Sequence, residues 1–275
     1  MITGATGKQG GAVARALAGK GFRLRAMTRK PESTAAQALQ QSGVTVVRGD
    51  LDDAESLRHA LDDAWGVFAV QNYREAGVQK EEEQGKRLAA LAHQAGVQHY
   101  VYSSVASAHR KTGIPHFDNK WRVEEVVREL GFPSHVILRP VFFMENLFLP
   151  MFLNGGKLTA ALDPATVLQM IAVEDIGKYG ARAFTDASRL SRREIDLAGD
   201  AATMPEAAAT LGQGLGRQIE FVRIPIEEIR QHSDDTALML EWFDRVGFNV
   251  DIQRLEQEFG ISSIKLKDWA ARQRS

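Results

Sequence analysis

Apolar positions along this chain alternate regularly between helix-like spacing and short strand-like runs. Residues 10–22, GGAVARALAGKGF, repeat at helical spacing, with Val13, Leu17 and Phe22 beside an alanine face. LRAMTR (24–29) reads as a strand, and ESTAAQALQQSG (32–43) as a helix that ends at Gly43. VTVVRGD (44–50) is a β-branched strand stopped by Gly49 and Asp50. DAESLRHALDDA (53–64) is a helix and GVFAVQ (66–71) a strand. EEEQGKRLAALAHQAG (81–96) puts Leu88, Leu91 and Ala92 on one side of a helix. HYVYSS (99–104), NKWRVEEVVRELG (119–131) and HVILRP (135–140) continue as strand, helix and strand. Apolar strands alternating with helices predict a parallel sheet covered by helices on both faces.

Beyond Pro140 the rhythm loosens. VFFMENLFLPMFLNGG (141–156) is rich in Phe, Leu and Met. LQMIAVEDIGKYGARAF (168–184) reads as a short strand and a helix, IEFVRIP (219–225) as a strand, and the C-terminal stretch as amphipathic helix. The organisation expected is a main α/β domain over 1–140 and a smaller α/β lobe over 141–275, interleaved with the first rather than independent. No internal repeat or low-complexity tract interrupts it.

Composition narrows the function more than the fold. The 275 residues are 44% hydrophobic, enough for a substantial core. A net charge of −1 gives no electrostatic footprint for nucleic acid or a membrane surface. The absence of cysteine removes disulfides, thiolate metal sites and a cysteine nucleophile. No run approaches the ~18 consecutive apolar residues of a membrane helix, and the start lacks the regions of a signal peptide. A cytoplasmic protein is expected. The histidines show no metal-ligand spacing, and neither GxSxG nor HExxH occurs.

The first candidate for chemistry is TGATGKQGG, residues 3–11. A glycine-rich turn between a strand and a helix cradles phosphate, because the helix opens with unpaired N–H groups and a positive dipole end. Gly4 suits a backbone angle that a Cβ disfavours, Gly7 lets the main chain approach a pyrophosphate, and Gly10 lets the helix pack close to the sheet. The spacing is GxxGxxG rather than GxGxxG. Only Met1 and Ile2 precede Thr3, where a strand of about 5–6 residues is usual. Either a stretch is missing before Met1, which is the expectation, or the central strand is unusually short.

The end of the second strand, MTRKPE, decides the cofactor. An enzyme that uses NAD carries Asp or Glu there; this chain has Arg29 and Lys30. A guanidinium in that place pairs well with a 2′-phosphate, and Lys8 in the glycine loop can reach the same group. NADPH is therefore expected in preference to NADH, against the plainer reading of Arg29 and Lys30 as solvated loop cations.

In these residues the chain resembles the short-chain dehydrogenase/reductase superfamily, and more closely its NmrA-like branch. That branch includes NADP-sensing regulators and NADPH-dependent quinone reductases. VVRGDLDD, AVQNY, YVYSSV, HFDNKWRVEE, LRPVFFMENL and IAVEDIG extend the similarity from Thr3 to Gly177. The resemblance implies a Rossmann-type doubly wound parallel sheet with a smaller C-terminal α/β lobe. It implies that Gly4, Thr6, Gly7, Lys8, Gln9 and Gly10 surround the pyrophosphate, and that Arg29, with Lys30, holds the 2′-phosphate. Asp50 and Leu51 would border the adenine, and Gln71 and Asn72 the nicotinamide half. Lys120 would hydrogen-bond the nicotinamide ribose. Pro140, Val141 and Phe142 would lie near the nicotinamide, with Phe143 and Asn146 toward the substrate.

The catalytic position departs from the superfamily pattern. Most members carry Tyr-x-x-x-Lys on one helix, where the i, i+4 spacing puts both side chains on one face. Here His116 stands four residues before Lys120. Three readings stay open: His116 is the acid; a quinone takes hydride and then a proton from water; or the protein binds NADPH without turnover. His116 follows Pro115, so it can also fall just before the helix. Ser103 and Ser104 end a strand at the carboxyl edge, where they can touch the nicotinamide or cap a turn. Tyr73 can line the substrate pocket or simply pack. The run Phe142 to Phe148 suits either a pocket for a flat substrate or lobe core. Glu81, Glu82 and Glu83 read as the negative first turn of a helix, and KLKDWAARQRS as a solvated helix end. The leading expectation is reduction of a flat conjugated carbonyl such as a quinone. The rival is an NADPH/NADP sensor acting on a regulatory protein partner. A homodimer also stays open.

Overall fold

The computed structural model describes residues 1–274, and the strand-like segments before Pro140 form strands in it. The elements run α1 (Lys8–Leu17), β1 (Arg25–Thr28), α2 (Thr34–Gln41), β2 (Thr45–Arg48), α3 (Ala54–Leu61), β3 (Gly66–Ala69), α4 (Tyr73–Ala76), α5 (Val78–Gln94), β4 (His99–Ser103), α6 (Pro115–Leu130) and β5 (Ser134–Pro140). They continue with β6 (Phe142–Phe143), β7 (Leu153–Asn154), β8 (Lys157–Ala160), β9 (Val167–Ile171), α7 (Val173–Thr185), α8 (Ala187–Leu190) and β10 (Arg193–Leu197). β11 (Asp200–Thr203), α9 (Met204–Leu215), β12 (Glu220–Arg223), α10 (Ile226–His232), α11 (Asp234–Arg245), α12 (Ile252–Phe259) and α13 (Leu266–Ala271) complete the order.

The chain divides into two compact units. The first holds Met1–His109, His116–Arg139 and Ile176–Ile195; the second holds Arg110–Pro115, Pro140–Asp175 and the described residues from Asp196 on.

In the first unit β1 pairs in parallel with β2, β3 with β4, and β4 with β5. β10 lies beside β5. Ile2 bridges the two halves, in parallel with Ala26 on one side and Phe68 on the other. Its N–H donates to the Arg25 carbonyl at 2.8 Å and its carbonyl accepts from the Met27 N–H at 3.0 Å. The central strand is thus reduced to a bridge. The order β2, β1, Ile2, β3, β4, β5 still places a topological switch point beside Ile2, where doubly wound sheets bind ligands.

Both faces of this sheet are covered. On one, Leu57, Leu61, Val67, Leu88, Tyr100 and Val127 form a buried cluster against α3, α5 and α6. On the other, α7 lies tight on α1: a Cβ at Gly177 would stand 2.7 Å from the Ala12 carbonyl carbon, and one at Gly180 would stand 2.6 Å from Val13. Helix–helix approach this close needs glycine.

In the second unit β9 pairs antiparallel with β11 and parallel with β6, while β8 pairs parallel with β12 and antiparallel with β7. A capping box between Thr203 and Glu206 starts α9. The C-terminal stretch is amphipathic as expected, but the described residues of KLKDWAARQRS, expected as a solvated helix end, are solvated on one face only. Leu266, Trp269 and Ala270 of α13 are buried, the Trp269 indole donates to Glu145 at 3.2 Å, and Lys265 pairs with Glu256 at 3.1 Å. The spacing i, i+3, i+4 turns the apolar residues inward while the basic ones face out.

Candidate dinucleotide site

The glycine turn closes on itself. Gly4 adopts φ +58°, the left-handed region that glycine tolerates. The Gly7 N–H donates to the Gly4 carbonyl at 2.9 Å, and Gly7 is the N-cap of α1 with no side-chain cap. No side chain therefore caps the N–H groups that open α1. A Cβ at Gly10 would lie 2.4 Å from the Thr3 oxygen, so only glycine lets the helix start this close to the strand. Two side chains lock the turn to its neighbours. Thr3 Oγ1 accepts from the Val70 N–H at 2.8 Å, just past β3. Ser103 Oγ, at the end of β4, donates to Gln9 Oε1 at 2.6 Å. Ser103 thus holds the loop itself. Thr6 and Lys8 are exposed beside it.

Arg29 follows β1 and lies on the outer rim. Its guanidinium pairs with Glu75 of α4, and both side chains are about half exposed, at 56% and 54%. The hydrogen bond and charge of Glu75, with Asp50 and Asp52 beyond, raise the arginine's already high pKa. Arg48, at the end of β2, donates to the Arg29 carbonyl at 3.1 Å and pairs with Glu32 at 3.5 Å. Lys30 is exposed nearby in sequence, its N–H donating to Thr28 Oγ1 at 3.2 Å. Asp50 accepts from the Asp52 N–H at 3.0 Å, and the Leu51 carbonyl accepts from Arg87 at 2.8 Å.

The inner end is organised by a buried carboxylate. Glu81 of α5 is 2% exposed. It accepts from Lys120 Nζ at 2.9 Å, Asn119 Nδ2 at 2.8 Å and the Tyr73 backbone N–H at 3.1 Å. A carboxylate this deep is tolerated because it is paired and multiply hydrogen-bonded. Helix α6 starts at Pro115, so His116 lies inside its first turn and shares a face with Lys120. Both are buried. The His116 imidazole stacks on the Tyr73 ring, with centroids 4.3 Å apart and planes 14° from parallel. Tyr73, His116, Lys120 and Glu81 thus form one cluster.

Gln71 sits two residues past β3, and both atoms of its amide are buried with no hydrogen-bond partner. Ser104 Oγ is in the same condition beyond β4. Orphaned buried donors and acceptors at the carboxyl edge call for a polar partner. The adjacent Asn72 is used locally: it caps α4, accepting from the Arg74 N–H at 3.2 Å. Together with the Gly10 cradle, these groups fit a dinucleotide.

Pro140, Val141, Phe142, Phe143 and Asn146 belong to the second unit. There the Phe142 ring packs edge-on against Phe152 and Phe243, in the core of that unit. Phe143 and Asn146 are half-buried. Sequence reasoning missed Glu75, Arg48 and Asn119, and took Glu81 for a helix-end acid. Its inward position was signalled by Gly85 and Leu88, four and seven residues on along the same helix face.

A closed glycine turn at the switch point of a parallel sheet defines an NAD(P)-binding protein of Rossmann type. The NmrA-like family model matches residues 1–272, and the chain belongs to that family. It is 35% identical over 156 residues to the NmrA-like family domain-containing oxidoreductase FrzB of Cladobotryum sp, across 53% of this chain and 46% of that one. The match thus spans about half the length of that relative. Its fold is similar to the NADPH-dependent quinone oxidoreductase of Escherichia coli, solved with NADPH, at TM-score 0.82, 24% identity and 100% and 99% coverage of the two chains. It is also similar to NmrA, a negative transcriptional regulator solved with NAD, at TM-score 0.80, 22% identity and 98% and 93% coverage.

Proposed function

We propose that this chain is an NADPH-dependent reductase of a quinone or related conjugated carbonyl. The observation that carries the reading is the buried pair His116 and Lys120, fixed by Tyr73 and Glu81. When bound, the nicotinamide supplies a hydride. The chain's own residues do the rest. The α1 N–H groups and the glycine turn hold the pyrophosphate. Arg29, with Lys30 and Lys8, takes the 2′-phosphate, and Asp50 and Leu51 border the adenine. Lys120 spends one of three N–H donors on Glu81 and keeps the others for a ribose hydroxyl. Gln71 offers its orphaned amide to the carboxamide. In this reading the stacked Tyr73 and His116 rings give a flat substrate a flat neighbour, and His116 delivers a proton to the substrate oxygen.

Histidine at position 116, in place of the usual tyrosine, leaves one rival open: a redox sensor that binds NADPH without turnover and acts on a protein partner. NADPH oxidation against a panel of quinones, aldehydes and ketones separates the two. Turnover with quinones supports the reductase. Saturable NADPH binding without turnover on any of them rejects it in favour of the sensor.

A further inference from the structure

Arg29 already holds an anion. Glu75 occupies its guanidinium, 46 residues away in sequence and on a different element. Of the other acids that influence Arg29, Asp52 is engaged by Lys80 at 2.9 Å and Arg87 at 3.6 Å, and Asp50 accepts from the Asp52 N–H. Arg48 beside it is likewise occupied, by Glu32. A carboxylate and a phosphate are alternative partners for the same guanidinium fork.

We propose that Glu75 is a built-in competitor for the 2′-phosphate of the dinucleotide, and thereby a residue that sets how strongly NADPH is preferred over NADH. This rests on the reading of Arg29 as the 2′-phosphate ligand. The exchange is easy because the pair is half exposed and weak, while a phosphate brings close to two negative charges. NADH has only a hydroxyl at that position and leaves Glu75 in place. Glu75 therefore lowers NADPH affinity and leaves NADH affinity untouched. It also links the rim to the inner cluster, because it shares the single turn of α4 with Tyr73, whose ring lies on His116.

The test titrates the full chain, Glu75→Gln, Arg29→Ala and the double variant with NADPH, NADH, 2′,5′-ADP and 5′-AMP by calorimetry. Glu75→Gln is expected to bind NADPH and 2′,5′-ADP about two- to fivefold more tightly, with NADH and 5′-AMP unchanged. In the Arg29→Ala background the same substitution should do nothing. NADPH affinity that is unchanged or weaker in Glu75→Gln, or tightening shared equally by NADH, overturns the proposal. Equal loss of NADPH and NADH in Arg29→Ala overturns instead the 2′-phosphate reading beneath it.

Discussion

Two acid–base pairs in the first unit differ chiefly in burial, and burial decides what each can do. Lys120 and Glu81 are 11% and 2% exposed and bonded further to Asn119 and Tyr73. Arg29 and Glu75 are 56% and 54% exposed. Water screens the outer pair, so either partner exchanges at little cost. The inner pair has lost its hydration, and removing one member strands the other's charge. The same chemistry thus serves as a fixed scaffold inside and as an exchangeable contact at the rim.

The largest effect should come from breaking the inner pair. Glu81→Ala leaves the Lys120 ammonium buried without its counter-charge and is expected to cost about 3–5 kcal/mol in urea unfolding. Glu81→Gln, which keeps an acceptor, should recover part of that loss. Destabilisation under about 1 kcal/mol for Glu81→Ala would show that burial does not separate the pairs.

A buried group without a counter-charge sharpens the contrast. His99 stands between Trp65 and Phe184, with its Nδ1 2.8 Å from Ser134 Oγ. Burial, aided by the neighbouring charge of His135 and opposed by a hydrogen bond to the Ala183 backbone, lowers its pKa from 6.5 to about 4. The unfolded chain binds this proton between those values and the native chain does not. The contribution is therefore complete above pH 6.5 and is lost as pH falls toward 4. Acidification from pH 7 to 5 should lower stability by about 2 kcal/mol through this site, and His99→Gln should remove that part of the slope. An unchanged slope in the variant would contradict it.

The smallest effect is expected at the rim. Glu75→Ala should change unfolding stability by less than about 0.5 kcal/mol, and a loss above about 2 kcal/mol would mean that the pair is structural.

Much of this arrangement is legible in the sequence because its causes are local. Short apolar runs mark the strands, a period near 3.6 marks the helices, and the glycines of 3–11 mark the turn. The start of α6 is less legible: the pattern opens the helix at Asn119, whereas Pro115 takes the first helical position and brings His116 inside it. Other features depend on long-range pairing that no window contains. Glu75 meets Arg29 across 46 residues, and Glu81 meets Asn119 and Lys120 across 38 and 39. Ile2 bridges Ala26 on one side and Phe68 on the other, a pairing that the two residues before Thr3 do not reveal. Nor does sequence tell the buried glutamate of EEE from half-buried Glu82 and exposed Glu83 until the helix face is drawn.

The central claim is that the amides opening α1 receive a dinucleotide diphosphate. Calorimetric titration of the wild-type chain and of Gly10→Ala with NADPH tests it most directly, with a thermal melt to confirm that the variant folds. The account predicts saturable binding by the wild type and at least about tenfold weaker binding by Gly10→Ala, whose methyl group would fall 2.4 Å from the Thr3 oxygen. A wild-type chain that binds neither NADPH nor NADH, or a folded Gly10→Ala that binds as the wild type does, would contradict it.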